Sequence, residues 1–579
     1  MNTRISQKIF LIFCLILLAT PVFSEVLPAE NSRLNYTTVY FEEDLTKGAD
    51  EYELSLYTDS TLTQLFASKK AKLPAFWVAD LDWAKTYYWR ISALKKENGP
   101  AVPGKIHRFS IMKIVYQSYE GIRIDIIINK EEEHGGGVMC IDYTKSVIDR
   151  RGRQIWAIPP VDSVPLGKMY IRDMRITKEN TITFLTFHVP YEIDFSGKVL
   201  WQAAYPFIMG KDTIIYHHDF KKTSRGTYMV MGDKVVYRKI LGHYSDQEQK
   251  CNPDITTING MLYKKTPITI LLEFNKEGKL IWFWDANTYI SDEDLNYKKV
   301  EGCTPNFATH ANAFSENEEG TKVYVGFRDI NRVVKIDKKT KQVESSYGER
   351  YPSGDATIQV EMLNQHDANV SNHNSIYVFN NNGFKNPHGV SSILELKDNI
   401  RNDEAAVIWR FDLNFDKLTR GKSVNGGNIV ELPNKNLFFC AGALNRIFEI
   451  TKDKKIVWDA LLYAKPKNDT VWEPFVQYRA NWAKQLNWYY FIPEINALTV
   501  IKGKQHVLNL TINNTGNAED SYEIEVFSDK NQVLCKTTTD IIPANGFLEV
   551  KMDYRSPRGR KTHVLIKSRH SDLRKVLTN

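Results

Sequence analysis

The sequence predicts an all-β protein: a six-bladed β-propeller flanked by an N-terminal and a C-terminal β-sandwich of the immunoglobulin or fibronectin type. Three observations lead to this fold class. Apolar residues alternate with polar ones along most of the 579-residue chain, which indicates strands, because helices repeat apolar residues with a period of about 3.6. The middle of the chain repeats a unit of about 64 residues, enough for four strands and their turns. Both flanks contain short alternating segments separated by turn-forming residues.

The repeat lies in residues 113–494, the segment predicted to be the propeller. One half of each unit is a strand, a polar or glycine-containing turn, and a second strand that ends in tryptophan. Clear copies end at Trp156, Trp201, Trp282 and Trp458, a degraded copy runs from Val334 to Ser345, and a copy with a longer turn ends at Trp409. Six such units fill the segment, which predicts six four-stranded blades. Residues 471–490, rich in Trp and Tyr, are expected to supply the strand that closes the ring.

The two flanking segments, 25–112 and 495–579, are each predicted to form a β-sandwich. In the first, Leu81 is followed by Tyr87 and then by an alternating strand, which resembles the tyrosine corner of fibronectin type III domains. In the second, alternating strands surround a polar turn cluster after Ile512. Neither flank contains a cluster of chemically reactive residues, so we interpret both as structural or interaction modules.

Residues 1–24 have the pattern of a cleavable signal peptide. Two basic residues precede an apolar run of about eleven residues and a small-residue exit. That run is shorter than the roughly 18 residues expected of a membrane span, and no later segment reaches this length. We therefore expect an exported protein without a membrane span, either periplasmic or secreted.

Composition and motifs exclude several classes of function. The formal net charge of +7 comes from 76 basic and 69 acidic residues spread along the chain, which is too diffuse to predict a nucleic-acid partner. No glycine-rich phosphate loop follows a strand and opens a helix. Cysteine pairs with zinc spacing are absent from the sequence. Cys251 and Cys303 lie in loop-like stretches of one repeat and are the first disulfide to test, with buried free thiols as the alternative.

Three histidines, His218, His310 and His366, occupy the same position in three repeats, at the start of the predicted inner strand. Inner strands line the central channel of a propeller, so these side chains are expected to converge. A lone histidine is more often structural than catalytic, but a structural need shared by all blades would place histidine in all six. Arg328 ends the strand that follows His310, and a guanidinium beside imidazoles favours an oxyanion over a bare metal ion.

These residues resemble those of the bacterial arylsulfate sulfotransferases, which are exported six-bladed propellers that use no nucleotide sulfate donor. The resemblance rests on His217-His218-Asp219, on His310-Ala311-Asn312 with Arg328 eighteen residues later, and on Gln365-His366-Asp367-Ala368 followed by Phe379-Asn380-Asn381-Asn382-Gly383. It covers the predicted propeller and extends to the N-terminal sandwich.

The resemblance implies a ping-pong transfer of a sulfuryl group from an aryl sulfate to a phenol. His366 would be the catalytic nucleophile and form a transient sulfohistidine, while His218, His310, Arg328 and Asn312 would bind the substrate. It implies no cofactor and no metal, and small-molecule partners only; a homodimer is compatible with the sequence. Near neutral pH, the ordinary histidine pKa of about 6.5 leaves His366 free to attack as neutral imidazole.

Two alternatives remain open at this stage. Three imidazoles and a water form a catalytic zinc arrangement, so the same residues predict a metal-dependent hydrolase as a second hypothesis. A third is a noncatalytic propeller that binds an anion or a sulfated ligand. The sequence assigns neither the physiological donor and acceptor, nor the role of the C-terminal sandwich, nor which of His218 and His310 protonates the leaving group.

Overall fold

The structure is a computed structural model, and it describes residues 26–94, 102–116, 118–160, 170–242, 254–297, 309–350, 358–371, 375–382, 389–398, 406–414, 422–502, 505–556 and 561–578. Within them the protein is all-β, as predicted. The described helices are one 3-10 turn, Ala286–Thr288, and one short α-helix, Asp292–Tyr297. No described helix has the length and apolar character needed to cross a membrane.

The chain divides into two compact units. The first contains residues up to Lys113 and from Leu486 onward, and the second runs from Ile114 to Gln485. The predicted boundary at 494 therefore falls later than the change of unit, because the strand that begins at Phe491 pairs within the first unit. The predicted signal peptide, Cys251 and Cys303 lie outside the described residues. Cys140, Cys440 and Cys535 are free thiols.

The first unit contains four sheets. Its N-terminal part has a five-stranded sheet and a two-stranded ribbon, and its C-terminal part has sheets of three and four strands. In sheet order the strands are Arg33–Leu34, His107–Ile111, Thr86–Leu94, Glu51–Tyr57 and Leu65–Ala71; Val39–Glu42 and Ala75–Val78; Phe491–Lys502, Gln505–Asn514 and Phe547–Arg555; Val533–Thr538, Tyr522–Ser528, Thr562–Ser568 and Arg574–Thr578. The Asp82 backbone N–H donates to the Tyr87 hydroxyl at 2.9 Å, the contact expected of a tyrosine corner.

The described residues of the second unit form six sheets, each built on four antiparallel strands. We number them 1 to 6 and name the first strand of each sheet first. Sheet 1 is Ala480–Ala483, Val138–Ile141, Ser146–Ile148 and Gln154–Ala157, and sheet 2 is Arg172–Ile176, Ile182–Leu185, Pro190–Ile193 and Val199–Gln202. Sheet 3 is Asp212–Lys222, Tyr228–Lys239, Met261–Phe274 and Leu280–Asp285, extended by Phe207–Met209 and Ile255–Ile258.

The remaining three sheets follow the same plan. Sheet 4 is Ala311–Glu316, Lys322–Phe327, Arg332–Asp337 and Val343–Gly348, extended by Ile358–Gln359. Sheet 5 is His366–Val370, Ser375–Asn380, Ser392–Lys397 and Val407–Asp412. Sheet 6 is Asn428–Glu431, Leu437–Cys440, Arg446–Ile450 and Ile456–Pro466, and Tyr119–Asn129 and Glu473–Pro474 also pair with its last strand. Sheet 1 takes its first strand from the far end of the unit, as predicted for residues 471–490.

The repeated tryptophans lie on the fourth strands and connect neighbouring sheets. Four indole N–H groups donate to a backbone carbonyl of the next sheet: Trp156 to Phe195, Trp282 to Lys338, Trp409 to Lys452 and Trp458 to Arg150. A buried indole N–H needs an acceptor. The fifth repeated tryptophan, Trp201, has no hydrogen-bond partner for its buried indole N–H among the described residues.

The six first strands are linked by hydrogen bonds in a closed cycle. In each case a side-chain oxygen or amide of one first strand, or of the turn beside it, bonds the backbone of the next sheet's first strand. The links are Asp142 to Asp173 and Met174, Asp173 to Phe220, Asp219 to Phe314, Asn312 to Gln365, Asp367 to Ile429, Asn428 to Ala480, and Asn481 to Met174. Buried backbone groups that the strands leave open are satisfied in this way.

Arg479 ties three of these sheets together from a fully buried position. Its guanidinium lies 3.0 Å from Asp173 Oδ1 and 3.1 Å from Asp219 Oδ1, and it donates to the Asn312 carbonyl at 2.7 Å. Burial opposes these charges, but the two carboxylates raise the pKa of Arg479 well above its ordinary value. The cation therefore stays charged and holds the two carboxylates in place.

Replacing Arg479 with methionine should destabilise the second unit by about 3–5 kcal/mol, because two buried carboxylates would lose their shared partner. Arg410→Met is the matched control, since Arg410 pairs with Asp412 on the surface and exposed pairs contribute at most about 1 kcal/mol. Chemical denaturation followed by tryptophan fluorescence measures both. Equal midpoints for the two variants would contradict the proposed importance of the buried cluster.

Candidate functional site

The three predicted histidines lie where first strands begin or change register. His218 and His310 have left-handed backbone, with φ of 57° and 47°, and Asp367 next to His366 has φ of 59°. At each place the pairing with the second strand shifts. Such bulges redirect side chains, and non-glycine residues adopt this backbone only where the surroundings impose it. The same local distortion thus sets the direction of all three side chains.

The structure brings the three imidazoles together around Tyr478. The ring centroids of His218 and His310 are 5.0 Å apart. The ring of Tyr478 lies 6.0 Å from that of His218 and 6.0 Å from that of His366. His366 is 1% exposed, whereas His218 and His310 remain partly accessible. The three rings therefore form one cluster around Tyr478.

Hydrogen bonds fix the tautomer of His366. Its Nδ1 lies 2.8 Å from Asn381 Oδ1. The Asn381 amide nitrogen donates to the carbonyls of Ser423 and Gly426 at 2.9 and 3.0 Å, so Oδ1 must be the atom that faces the ring. An acceptor there requires the proton on Nδ1. Nε2 of His366 consequently carries a lone pair.

All three imidazoles are held neutral. Burial, with Arg328 and Arg479 as further causes, lowers the pKa of His366 to about 3, although the bond to Asn381 opposes the change. Burial and the neighbouring His217 and Arg172 lower the pKa of His218 well below its ordinary value. The pKa of His310 is also lowered by burial, against the attraction of Asp329.

His217 connects His218 to a carboxylate. His217 Nε2 lies 2.8 Å from Asp233 Oδ1, and its Nδ1 lies 2.7 Å from Nδ1 of His218. The pKa of Asp233 is lowered despite burial, mainly by His217, so the carboxylate is ionised and requires a proton on Nε2 of His217. In the neutral pair, Nδ1 of His217 then accepts from His218, which leaves Nε2 of His218 as a base.

Arg328 and Asn312 hold the segments around the histidines. The Arg328 backbone N–H donates to the His310 carbonyl at 3.0 Å, and its guanidinium lies 3.3 Å from Asp329 Oδ1. The Asn312 amide donates to the carbonyl of Gln365 at 2.9 Å, directly before His366. The buried Oδ1 of Asn312 has no hydrogen-bond partner among the described residues. Asn312 therefore positions backbone and still offers an acceptor.

Sequence reasoning missed Tyr478, Arg172, Arg479 and the supporting role of Asn381. Tyr478 is 5% exposed, and its buried hydroxyl has no described hydrogen-bond partner. The position of Tyr478 in the repeat could have identified it. Tyr478 and Arg479 directly precede the first strand of sheet 1, and the histidines lie at or near the start of the first strands of their own sheets. Among the described residues, no group of three or more His, Cys, Asp or Glu side chains is arranged to hold a metal ion.

The fold and the site together define an all-β protein with a buried cluster of imidazole, guanidinium and phenol side chains suited to an anion. Residues 192–462 match the family model described as arylsulfotransferase (ASST). This similarity confirms the resemblance predicted from the sequence and supports a sulfotransferase function on small molecules. The match includes all five predicted site residues but neither Arg172 nor Tyr478.

Comparison with other proteins adds little beyond this family. None of the curated proteins matches the chain. A solved protein of unknown function from Bacteroides caccae is 12% identical, covers 58% of this chain and 93% of its own, and has a TM-score of 0.33. An auxiliary nutrient binding protein from Bacteroides thetaiotaomicron VPI-5482 is 10% identical, with 79% and 89% coverage and a TM-score of 0.30. TM-scores this low bear on neither fold nor function.

The lowered pKa of His366 predicts that its ring stays neutral when the pH falls from about 8 to about 5, whereas an ordinary imidazole gains its proton near pH 6.5. Only acidification toward a pH of about 3 should protonate it. Carbon NMR of protein labelled at histidine Cε1, with His366→Asn to assign the signal, measures the titration. The same signal in the denatured chain is the internal control. A folded-state midpoint near 6.5 would contradict the prediction.

Proposed function

We propose that the protein is an arylsulfate sulfotransferase that works by a ping-pong mechanism through a sulfohistidine at His366. The observation that carries this proposal is the fixed tautomer of His366, whose ring lies in one cluster with Tyr478, His218 and His310. The six sheets are the blades of a six-bladed propeller, a proposal supported by the closed cycle of hydrogen bonds between first strands. The flanking segments 25–112 and 495–579 are sandwiches, and the chain is exported.

In the first half-reaction, Nε2 of His366 attacks the sulfur of an aryl sulfate. An S–N bond forms as the S–O bond to the aryl group breaks, and the electron pair of that bond leaves with the phenolate. Charge spreads over the three remaining sulfuryl oxygens during the transfer, as in phosphoryl transfer. Arg328 is the cation that stabilises these oxygens. Because His366 is already neutral, no proton has to leave before it attacks.

The departing phenolate requires a hydrogen-bond donor. His218 and His310 are poor candidates for protonating it, because their lowered pKa values leave few imidazolium ions near neutral pH. Tyr478 is the better candidate for stabilising it. Burial raises the pKa of Tyr478 to about 12, so its hydroxyl keeps its proton and can donate to an oxyanion.

In the second half-reaction, a phenol attacks the sulfur of sulfohistidine. The new S–O bond forms as the S–N bond breaks, which regenerates neutral His366. The phenol proton passes to Nε2 of His218. The carboxylate of Asp233, which reaches His218 through His217, supports this transfer in the way that a carboxylate supports a catalytic histidine, against the burial that lowers the pKa of His218.

Incubation with 4-nitrophenyl sulfate and phenol tests the proposal. Nitrophenol release should depend on phenol and fall by at least about 1,000-fold in His366→Ala, because the nucleophile is lost. His563→Ala, a histidine on a strand of the other unit, should retain the rate. Intact mass measurement after mixing with donor alone should show one added sulfuryl group on wild type and none on His366→Ala.

Other outcomes of this assay would contradict the proposal. Release that does not depend on phenol indicates a hydrolase. Release that persists without His366, or an absence of release with any aryl sulfate, rejects the sulfohistidine route. If release does not depend on phenol, bound-metal analysis of the purified protein shows whether the hydrolase is metal-dependent.

Tyr478→Phe should slow sulfuryl transfer most for donors with basic leaving groups. We expect a loss of about 10- to 100-fold for phenyl sulfate and a smaller loss for 4-nitrophenyl sulfate, whose phenolate needs less stabilisation. Tyr216→Phe is the matched control, because it also removes a buried hydroxyl without a described partner but from the apolar core of sheets 2 and 3. Equal losses for both donors would reject a role for Tyr478 at the leaving oxygen.

A further inference from the structure

Arg172 lies beside the candidate site but is not used in the mechanism above. It is the first residue of the first strand of sheet 2. Its guanidinium carbon lies 4.9 Å from the centroid of the Tyr478 ring, and its charge opposes the rise that burial causes in the pKa of Tyr143. Its charge is one of the causes that lower the pKa of His218. These contacts place a second cation next to the histidine cluster.

Arg172 differs from the neighbouring cations in its partners. Arg175, Arg479 and Lys221 each pair with Asp173 or Asp219. No described carboxylate forms an ion pair with Arg172, whose guanidinium lies over the Tyr478 ring. A partly buried guanidinium with no compensating charge from the protein favours binding of an anion from outside.

The two guanidiniums act on different histidines. Arg328 contributes to the lowered pKa of His366 and of His310, and Arg172 contributes to that of His218. The sulfuryl group must lie at Nε2 of His366, within reach of Arg328. Arg172 packs over the ring of Tyr478, the residue proposed to donate to the leaving phenolate, which puts this cation near the aryl side of the reacting bond.

Aromatic side chains surround this second cation. Tyr143 and Tyr170 have ring centroids 5.0 Å apart, and Tyr170 is 47% exposed. Together with Tyr478 they offer faces against which an aromatic ring can pack. The combination of flat apolar walls and one uncompensated guanidinium matches an aromatic molecule that carries an anionic substituent.

We propose that Arg172, with Tyr143 and Tyr478, binds a carboxylate or second sulfate on the ring of the substrate, so that the preferred donors and acceptors are anionic aryl compounds. This inference rests on the proposed sulfotransferase function. Donor and acceptor occupy the same place in turn in a ping-pong reaction, so the preference applies to both.

The test compares acceptors that differ only in charge, with 4-nitrophenyl sulfate as donor. The pairs are 4-hydroxybenzoate with 4-hydroxybenzamide, and the 3-hydroxy isomers of each. Arg172→Met should lower kcat/KM for at least one carboxylate by about 10- to 100-fold, the effect of losing a charge-assisted hydrogen bond, and change the amides and phenol by less than about twofold. Arg172→Lys should retain part of the preference. The control Arg151→Met removes an exposed guanidinium of the same unit and should change neither.

The outcomes separate this inference from the proposed function. Phenol-dependent transfer in which Arg172→Met affects carboxylates and amides alike overturns the anion site alone, and assigns Arg172 to the sulfuryl group or to folding. Absence of transfer with every acceptor overturns the proposed function. In that case calorimetric titration with 4-hydroxybenzoate still decides the anion site, since binding should be present in wild type and weakened at least about 10-fold in Arg172→Met. Equal affinities would reject it.

Discussion

The candidate site depends on one buried electrostatic arrangement, the cation of Arg479 between the carboxylates of Asp173 and Asp219. Each carboxylate also accepts a backbone N–H from the next sheet, at Phe220 and Phe314. The arrangement fixes the first strands of sheets 2, 3 and 4, which carry Arg172, His218 and His310. Removing these charges from water is costly, so the geometry that compensates them tolerates little movement. The side chains proposed to face the substrate are held in place because they lie on or next to these strands.

The two buried or partly buried arginines near Tyr478 differ in whether a carboxylate pairs with them. Arg479 is charged and pairs with the carboxylates of Asp173 and Asp219, so its role is to hold the first strands in place. Arg172 is not compensated by a described carboxylate, and the imidazoles near it are kept neutral. An anion that enters this region meets positive charge without first having to displace a protein carboxylate from Arg172. Binding of a substrate anion is therefore favoured where the protein leaves its own charges unmatched.

Much of the fold could be predicted from the sequence, because it depends on patterns that repeat. Tryptophans recur on fourth strands, where four of the five donate an indole N–H to the next sheet, and histidines recur where first strands begin or change register. The closing strand in residues 471–490 was also predictable from its aromatic content. Arg172, Tyr478 and Arg479 were not found, because each occurs once and its importance arises from contacts between segments about 300 residues apart in sequence. No local pattern contains that information.

The role of Asn381 shows why a motif alone could not specify the chemistry. The sequence places it fifteen residues after His366, within a run of three asparagines that looks like a turn. Only the carbonyls of Ser423 and Gly426 orient its amide, and only that orientation places the proton on Nδ1 of His366. The lone pair on Nε2, the nucleophile of the proposed mechanism, thus depends on a loop of the next sheet. Burial is the main cause of the lowered pKa of His366, but the packing of sheet 5 against sheet 6 sets which nitrogen carries the lone pair.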